Sequence, residues 1–506
     1  MLYPPYRRCI EPRCKNTKLG QQYTAEARIF TLHRGVLPAY ETSLYCRHCN
    51  TRYHYAYYVQ KPSEPQALRQ YYTEYRPYVH AHEASFVEVH LCEYFERLLC
   101  LSHTSTTNLA RTYNTDLGRT DTMMLTNLST DISPDIVLDA FFLQALLRRC
   151  RRYAKPLLLM HNIEQERRLD SAMEEYNQLM AGTGQPQYTH ACHDCLKIYK
   201  HPDTDQLTFI RGGTTDGVTI GHPCCLVNKC QIRLASTKDK FCPDHQHLTS
   251  QCLIKGCERP TESGYITCSD LLHRAKEQER NEKGRSAYYD LSRRLNKDNA
   301  PRTHKRLTLQ TSRNWTHNEQ LFVLSCGVIV ARSTFFFSEG VASVKEFLKR
   351  VFPWPWVLPT HIFYDNACHL LEHLQAQRDT FFNLVRFVVD VFHARNHHKE
   401  THAFCNEHTN PALFPELRIF QSKWTLNSSV AEQTNVWFGA FQAITREMTL
   451  MLHTARYNFF LDEMIVIRNE WFVEQQERKG KQPFKMDIDL LKAEWLRAYS
   501  GQQLSE

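Results

Sequence analysis

No apolar run in this 506-residue sequence is long enough to cross a bilayer. The longest, Leu321 to Ala331, falls well short of the ~20 residues a membrane helix needs. The start, MLYPPYRRC, has no apolar segment of the kind that marks a secretory signal. A strong excess of one charge is missing as well. With 62 basic and 54 acidic residues the net charge is +8 with histidine neutral, which permits nucleic-acid binding without demanding it. These absences point to a soluble intracellular protein, whose thiols stay reduced. The 19 cysteines then need a role other than disulfides, and metal binding supplies one. Their spread supports this, since 16 of them precede residue 270.

The chain is too long for a single compact core, so about two to four domains are expected. At 42% apolar and 23% charged residues, it has a globular composition. Residues 1–80 hold two cysteine pairs among Tyr-rich, strand-like runs such as TRYHYAYYV. Residues 81–182 carry apolar residues at helical spacing over Phe86–Cys100, Ser105–Tyr113, Asp135–Tyr153 and Asn162–Met180. Ser105 is placed to cap a second helix presenting Asn108, Arg111 and Asn114, either a helix-turn-helix or a plain helical hairpin. Residues 183–275 are the densest cysteine/histidine region, 276–318 a basic helix and linker, and 319–506 a domain that opens with strands and closes with helices.

The strongest signal is an internal repeat. Cys225-x4-Cys230-x11-Cys242-x2-His245 is followed by Cys252-x4-Cys257-x10-Cys268-x4-His273. Four soft or borderline ligands suit tetrahedral zinc, and the close pairs let one knuckle supply two corners. Cys192 and Cys195 form a further pair, to be completed by Cys224 with His222 or His190. Cys9-x4-Cys14 and Cys46-x2-Cys49 make a four-cysteine, ribbon-like set. Each set has four candidate ligands and no vacancy for water, so the expected role of Zn2+ is structural. Cys92, Cys100 and Cys150 lie on apolar helix faces and read as core residues.

Beyond residue 319, Leu321–Ser325 and Val328–Phe337 suggest a hairpin around Cys326-Gly327, and Val341–Val351 an amphipathic helix. Two short apolar strands, His361–Tyr364 and Phe387–Val389, end in Asp365 and Asp390. Acids at strand ends can hold a divalent metal at the edge of a sheet.

IFYDNACHLLEHL, FVVDVFHARNHHKETHAFC and NSSVAEQTNVWFG, in that order, resemble the core of Kyakuja-Dileera-Zisupton (KDZ) transposases. The upstream clusters, including the run DGVTIGHPCC, resemble the cysteine clusters associated with those enzymes. The resemblance implies an α+β multidomain chain: zinc modules and a helical block followed by an RNase H-like α/β domain with a DDE set of acids. It makes Asp365 the second acid and Glu432 the third, around Mg2+. It also implies a first acid at the opening strand, where the sequence reads LFVLSCGVIVA and Cys326 or Ser325 occupies the expected place. A thiol is a poor ligand for a hard Mg2+ ion, so loss of strand cleavage is expected. His393, His397 or His398, Cys405 and His408 resemble a further metal-binding run between the second and third acids. The implied partner is double-stranded DNA, the implied location the nucleus, and the implied assembly a homo-oligomer. Three functions follow as expectations: a zinc- and DNA-binding transposase relative without cleavage, an active DDE transposase, and a zinc-dependent protein-interaction module.

Overall fold

The computed structural model describes residues 1–118, 128–200, 207–221, 223–227, 230, 232, 234, 239–286, 315–336, 339–396, 403–419, 423–448 and 454–503. No helix among them is long and apolar enough to cross a membrane.

The first body is built on a long hairpin. Strands β1 (Gly20–Thr31) and β2 (Gly35–Cys46) pair over their whole length and turn at Leu32–Arg34. They are followed by β3 (Thr51–Tyr53), β4 (Tyr57–Gln60), β5 (Leu68–Tyr71), β6 (Tyr78–His82) and β7 (Ser85–Glu88). Helices α1 (Val89–Ser102), α2 (Thr106–Thr112) and α3 (Pro134–Arg152) come next, then β8 (Leu158–Met160) and α4 (Asp170–Met180). The eight strands form one sheet in the order β6-β7-β1-β2-β3-β4-β5-β8. The division expected at residue 80 is therefore not observed, because β6 and β7 straddle it and β8 lies within the helical block. Residues 86–88, read as the start of a helix, belong instead to β7, which pairs with β1, where sheet pairing overrides local periodicity.

Helix α2 begins where Ser105 is expected to cap it. The Ser105 side chain accepts from the Asn108 backbone, and Leu109 and Ala110 are buried. Asn114 is not presented outward: its amide donates to the Ile132 carbonyl and its Oδ1 accepts from the Ile132 backbone, so it latches the following loop.

The second body is a six-stranded sheet containing β10 (Leu196–Lys200), β11 (Leu207–Val218), β12 (Asn318–Leu324), β13 (Ile329–Phe335), β14 (His361–Phe363) and β15 (Arg386–Val388). Its order is β13-β12-β11-β14-β15, with β10 also paired to β11. β12 and β13 run antiparallel to their neighbours, whereas β14 and β15 run parallel to β11. The sheet thus does not begin at residue 319, as expected: its central strand, β11, belongs to the segment assigned to the cysteine region. The cysteine/histidine repeat, with helix α5 (Leu271–Ser286), lies in the connection between β11 and β12. Most of the linker expected at 276–318 lies outside the described residues.

Alternation along β12 explains how this sheet is buried on both faces. Leu321 and Val323 join the apolar core that also holds α1, α3 and α4, while Phe322 and Leu324 join a second core. The second core is built with α6 (Val341–Val351) and α7 (Ala367–Ala376). After the short helices α8 (Val391–Asn396) and α9 (Ala403–His408) and the strand pair β16 (Arg418–Ile419) and β17 (Lys423–Trp424), the chain closes in helices. These are α10 (Val430–Gly439), α11 (Gln442–Met448), α12 (Thr454–Arg478) and α13 (Ile488–Gln503). α10 and α11 are separated at Ala440–Phe441.

α12 joins the two bodies. Its Phe459 and Phe460 pack on Phe142 and Phe141 of α3. Its Glu463 is fully buried between Arg148 and Arg149 of α3. On its other side, Asp462 and Tyr457 meet a buried network with Arg332 and Glu319 of the second sheet.

Candidate metal centres and a carboxylate cluster

Four groups of cysteine and histidine converge so that the ligand atoms of each lie within 4.8 Å of one another. Cys9 and Cys14 approach from the N-terminal loop, while Cys46 ends β2 and Cys49 follows in the turn to β3. Cys9 and Cys49 are 3.5 Å apart and Cys46 and Cys14 3.9 Å. Cys225, Cys230, Cys242 and His245 form a second group, with 3.7 Å between Cys230 and Cys242 and 3.1 Å from Cys242 Sγ to His245 Nδ1. In the third, Cys252, Cys257, Cys268 and His273 converge with 4.0 Å between Cys257 and Cys268. Two 2.3 Å zinc–sulfur bonds at the tetrahedral angle set sulfurs about 3.8 Å apart, whereas a disulfide needs about 2.05 Å. The spacings fit a shared metal ion.

The fourth group departs from expectation. Cys192 and Cys195 meet His190 and Cys326, not Cys224. The reason lies in the strand direction. The Cys195 carbonyl accepts from Gly212 on β11, and from there the strand carries the chain about 20 Å away before Cys224 is reached. β12 then returns antiparallel, with Gly213 facing Leu324, and brings Cys326 back to Cys195. Cys224 sits instead beside the bridge between Pro223 and Trp315, and His222 lies outside the described residues. Cys92 and Cys100 are fully enclosed in the first core, and Cys150 packs partly buried against it.

The acids gather at the other end of the same sheet. On β11, β14 and β15, Thr214 faces Phe363, which faces Val388. Two residues beyond these last pairs come Asp216, still on β11, and Asp365 and Asp390, just past the ends of β14 and β15. Cys326 therefore does not stand where a first acid is expected. Asp216 stands there, and Cys326 occupies the β12–β13 turn at the opposite end of the sheet. Gly217, beside Asp216, allows β12 this close, since a Cβ there would fall 1.6 Å from the Asn318 amide nitrogen.

α10 brings Glu432 over this edge, together with Asn435, whose amide donates to Asp216 Oδ2 at 2.7 Å. The His393 Nδ1 lies 3.1 Å from Asp365, 3.4 Å from Asp390 and 3.8 Å from Glu432. Asp390 Oδ1 caps α8 by accepting from the Phe392 backbone, while its buried Oδ2 has no hydrogen-bond partner among the described residues. Burial, together with the charges of Glu339 and Glu432, pushes the Asp216 carboxyl up to about 6. Burial and the charge of Asp216 push Asp365 up to about 7. Clustered hard oxygen donors that resist simultaneous ionisation suit a divalent cation such as Mg2+.

The expected metal set of His393, His398 and Cys405 is described only at His393 and Cys405. His393 turns to the acids, Cys405 is buried against Cys368, and His397 and His398 lie outside the described residues. Trp437 faces inward: its indole donates to the Cys100 carbonyl, and Arg468 covers its ring.

The sites define a protein that can hold metal in several centres, one made of four cysteines and the others of three cysteines and a histidine. Residues 1–117 match the CxC5 like cysteine cluster associated with KDZ transposases, and residues 214–280 match the CxC6 like cysteine cluster associated with KDZ transposases. The chain therefore carries two of the cysteine clusters that accompany these transposases. No curated protein and no solved structure matches the chain.

Proposed function

We propose that this protein is a transposase-derived, zinc-binding enzyme that cleaves and joins DNA strands with divalent metal ions at Asp216, Asp365 and Glu432. The six-stranded sheet is read as the RNase H-like domain that the KDZ resemblance implies. One observation carries the reading: Asp216 near the end of β11, Asp365 and Asp390 just past the ends of β14 and β15, and Glu432 on α10 gather into one carboxylate cluster around His393. The expected loss of cleavage rested on Cys326 replacing the first acid, and that reason falls away once Asp216 occupies the place.

Paired Mg2+ ions would activate the attacking hydroxyl and stabilise the leaving oxygen. Asp216, Asp365 and Glu432 would hold them, Asn435 orienting Asp216 through its amide. The buried, unpaired Oδ2 of Asp390 offers a further oxygen. The zinc clusters and the net charge of +8 support duplex DNA as partner, held through its phosphates.

The test is nicking of plasmid DNA by zinc-loaded protein with Mg2+ or Mn2+. Cleavage that Asp216→Asn abolishes supports the reading. Absence of cleavage with either ion, or cleavage unchanged in Asp216→Asn, rejects it. Duplex binding should persist in Asp216→Asn and weaken steeply with salt.

A further inference from the structure

The group His190, Cys192, Cys195 and Cys326 lies outside both matched cysteine clusters and closes over a long stretch of chain. Its ligands come from three places. His190 lies on β9 (His190–Ala191), which pairs with β18 (Phe484–Lys485). Cys192 and Cys195 flank a tight turn in which the Cys195 backbone donates to the Cys192 carbonyl. Cys326 sits in the β12–β13 turn, where Gly327 takes a φ of +101° that favours glycine. The sulfurs of Cys192 and Cys195 are 3.8 Å apart, the separation that two tetrahedral zinc–thiolate bonds impose.

Arg211 is a second, independent observation. It is 2% exposed on β11, and its guanidinium donates to the carbonyls of His190 and Val357. Among the described residues no carboxylate forms an ion pair with it. The acidic groups within electrostatic reach are the Cys195 and Cys326 thiols and the Tyr188 phenol. A buried cation of this kind needs a counter-charge. Zn2+ with three thiolates and a neutral imidazole carries one net negative charge, which is what Arg211 lacks.

We propose that His190, Cys192, Cys195 and Cys326 hold a structural Zn2+ ion whose negative charge Arg211 neutralises. The ion clamps the start of β11, the β12–β13 turn and the β9–β18 pair into one unit at the end of the sheet away from the acids. It ties the start of β11 to the end of β12, the two strands whose opposite ends flank the inserted cysteine/histidine repeat. The clamp does not depend on the protein acting on DNA.

Zinc content per chain of the full-length protein, measured by plasma mass spectrometry, tests it. Cys192→Ala and Cys326→Ala should each contain one equivalent less than wild type, and the double variant should also lose only one, because the ligands share one ion. Wild-type zinc content in both single variants would overturn the proposal. If the variants do not stay soluble, anomalous diffraction at the zinc edge from wild-type crystals decides. A peak among the four ligand atoms supports the clamp, and peaks at the other clusters with none here overturn it.

Discussion

Asp216 on β11 lies within electrostatic reach of Asp365, just past the end of β14, although the whole cysteine/histidine repeat and the β12–β13 hairpin lie between them in the sequence. Burial and the charge of Asp216 hold the Asp365 carboxyl at about 7, while burial with Glu339 and Glu432 holds Asp216 at about 6. Both groups bind protons more tightly folded than unfolded. Their contribution to stability is therefore full below about pH 4 and is lost as pH rises through 6 to 7.

Metal-free protein should accordingly gain stability from Asp365→Asn at pH 8. The Asp365 side chain is 37% exposed, so solvent screens the effect, and a rise in melting temperature of about 1–3 °C is expected. The gain should vanish towards pH 4. Mg2+ should raise the melting temperature of wild type more at pH 8 than at pH 5.5. Equal effects at both pH values would refute the coupling, and scanning calorimetry would detect them.

Glu432→Gln should lower Mg2+-dependent strand cleavage by roughly 10³-fold, since a ligand to the reacting metal is lost. Asn435→Ala should cost less, about tenfold, as it removes only the bond that orients Asp216. Cys326→Asp should gain no activity in an Asp216→Asn background, because the turn lies at the other end of the sheet. Single-turnover assays on labelled DNA distinguish these outcomes.

Cys230→Ser and Cys257→Ser should each release one metal equivalent and unfold the inserted cysteine region. Apparent zinc affinities of about 10–16 kcal/mol exceed what such small cores supply by themselves. Limited proteolysis should then cut between residues 223 and 280 and leave the first body intact. A protease-resistant variant with unchanged zinc would show that the ligands are ordinary core cysteines.

Glu463→Ala should be strongly destabilising. The carboxylate is fully buried and paired with both Arg148 and Arg149, and its removal takes the ion pair from the buried Arg149, while Arg148 keeps Glu96. A loss of about 3–5 kcal/mol is expected, read from the denaturant midpoint of the first body. A shift of under ~1 kcal/mol would mean that water reaches this network.

Much of the local structure was legible. The hairpin around Cys326-Gly327, the helix at Val341–Val351 and the strands ending in Asp365 and Asp390 all follow from apolar periodicity. The tandem repeat gave its ligand groups because each lies within some 20 residues, where a short loop sets the geometry. Asp216 was missed for an identifiable reason. It sits in LTFIRGGTTDGV, a strand rich in β-branched residues and ending in an acid, the same signal that marked Asp365. The adjoining cysteines drew that segment into a zinc module, and nothing local shows that its strand partners begin a hundred residues later.

The sequence by itself determined the capacity for metal binding and the clustered ligands of the tandem repeat, because spacing along a short loop is local geometry, while Asp365 and Glu432 were marked through the family resemblance. Only the tertiary structure decided that β11 belongs to the acid-bearing sheet and that Asp216, not Cys326, joins Asp365. It also decided that Cys326 completes a site with Cys192 and Cys195. These depend on which strand pairs with which and in what direction, and backbone hydrogen bonds across a sheet leave no mark on the sequence distance between partners.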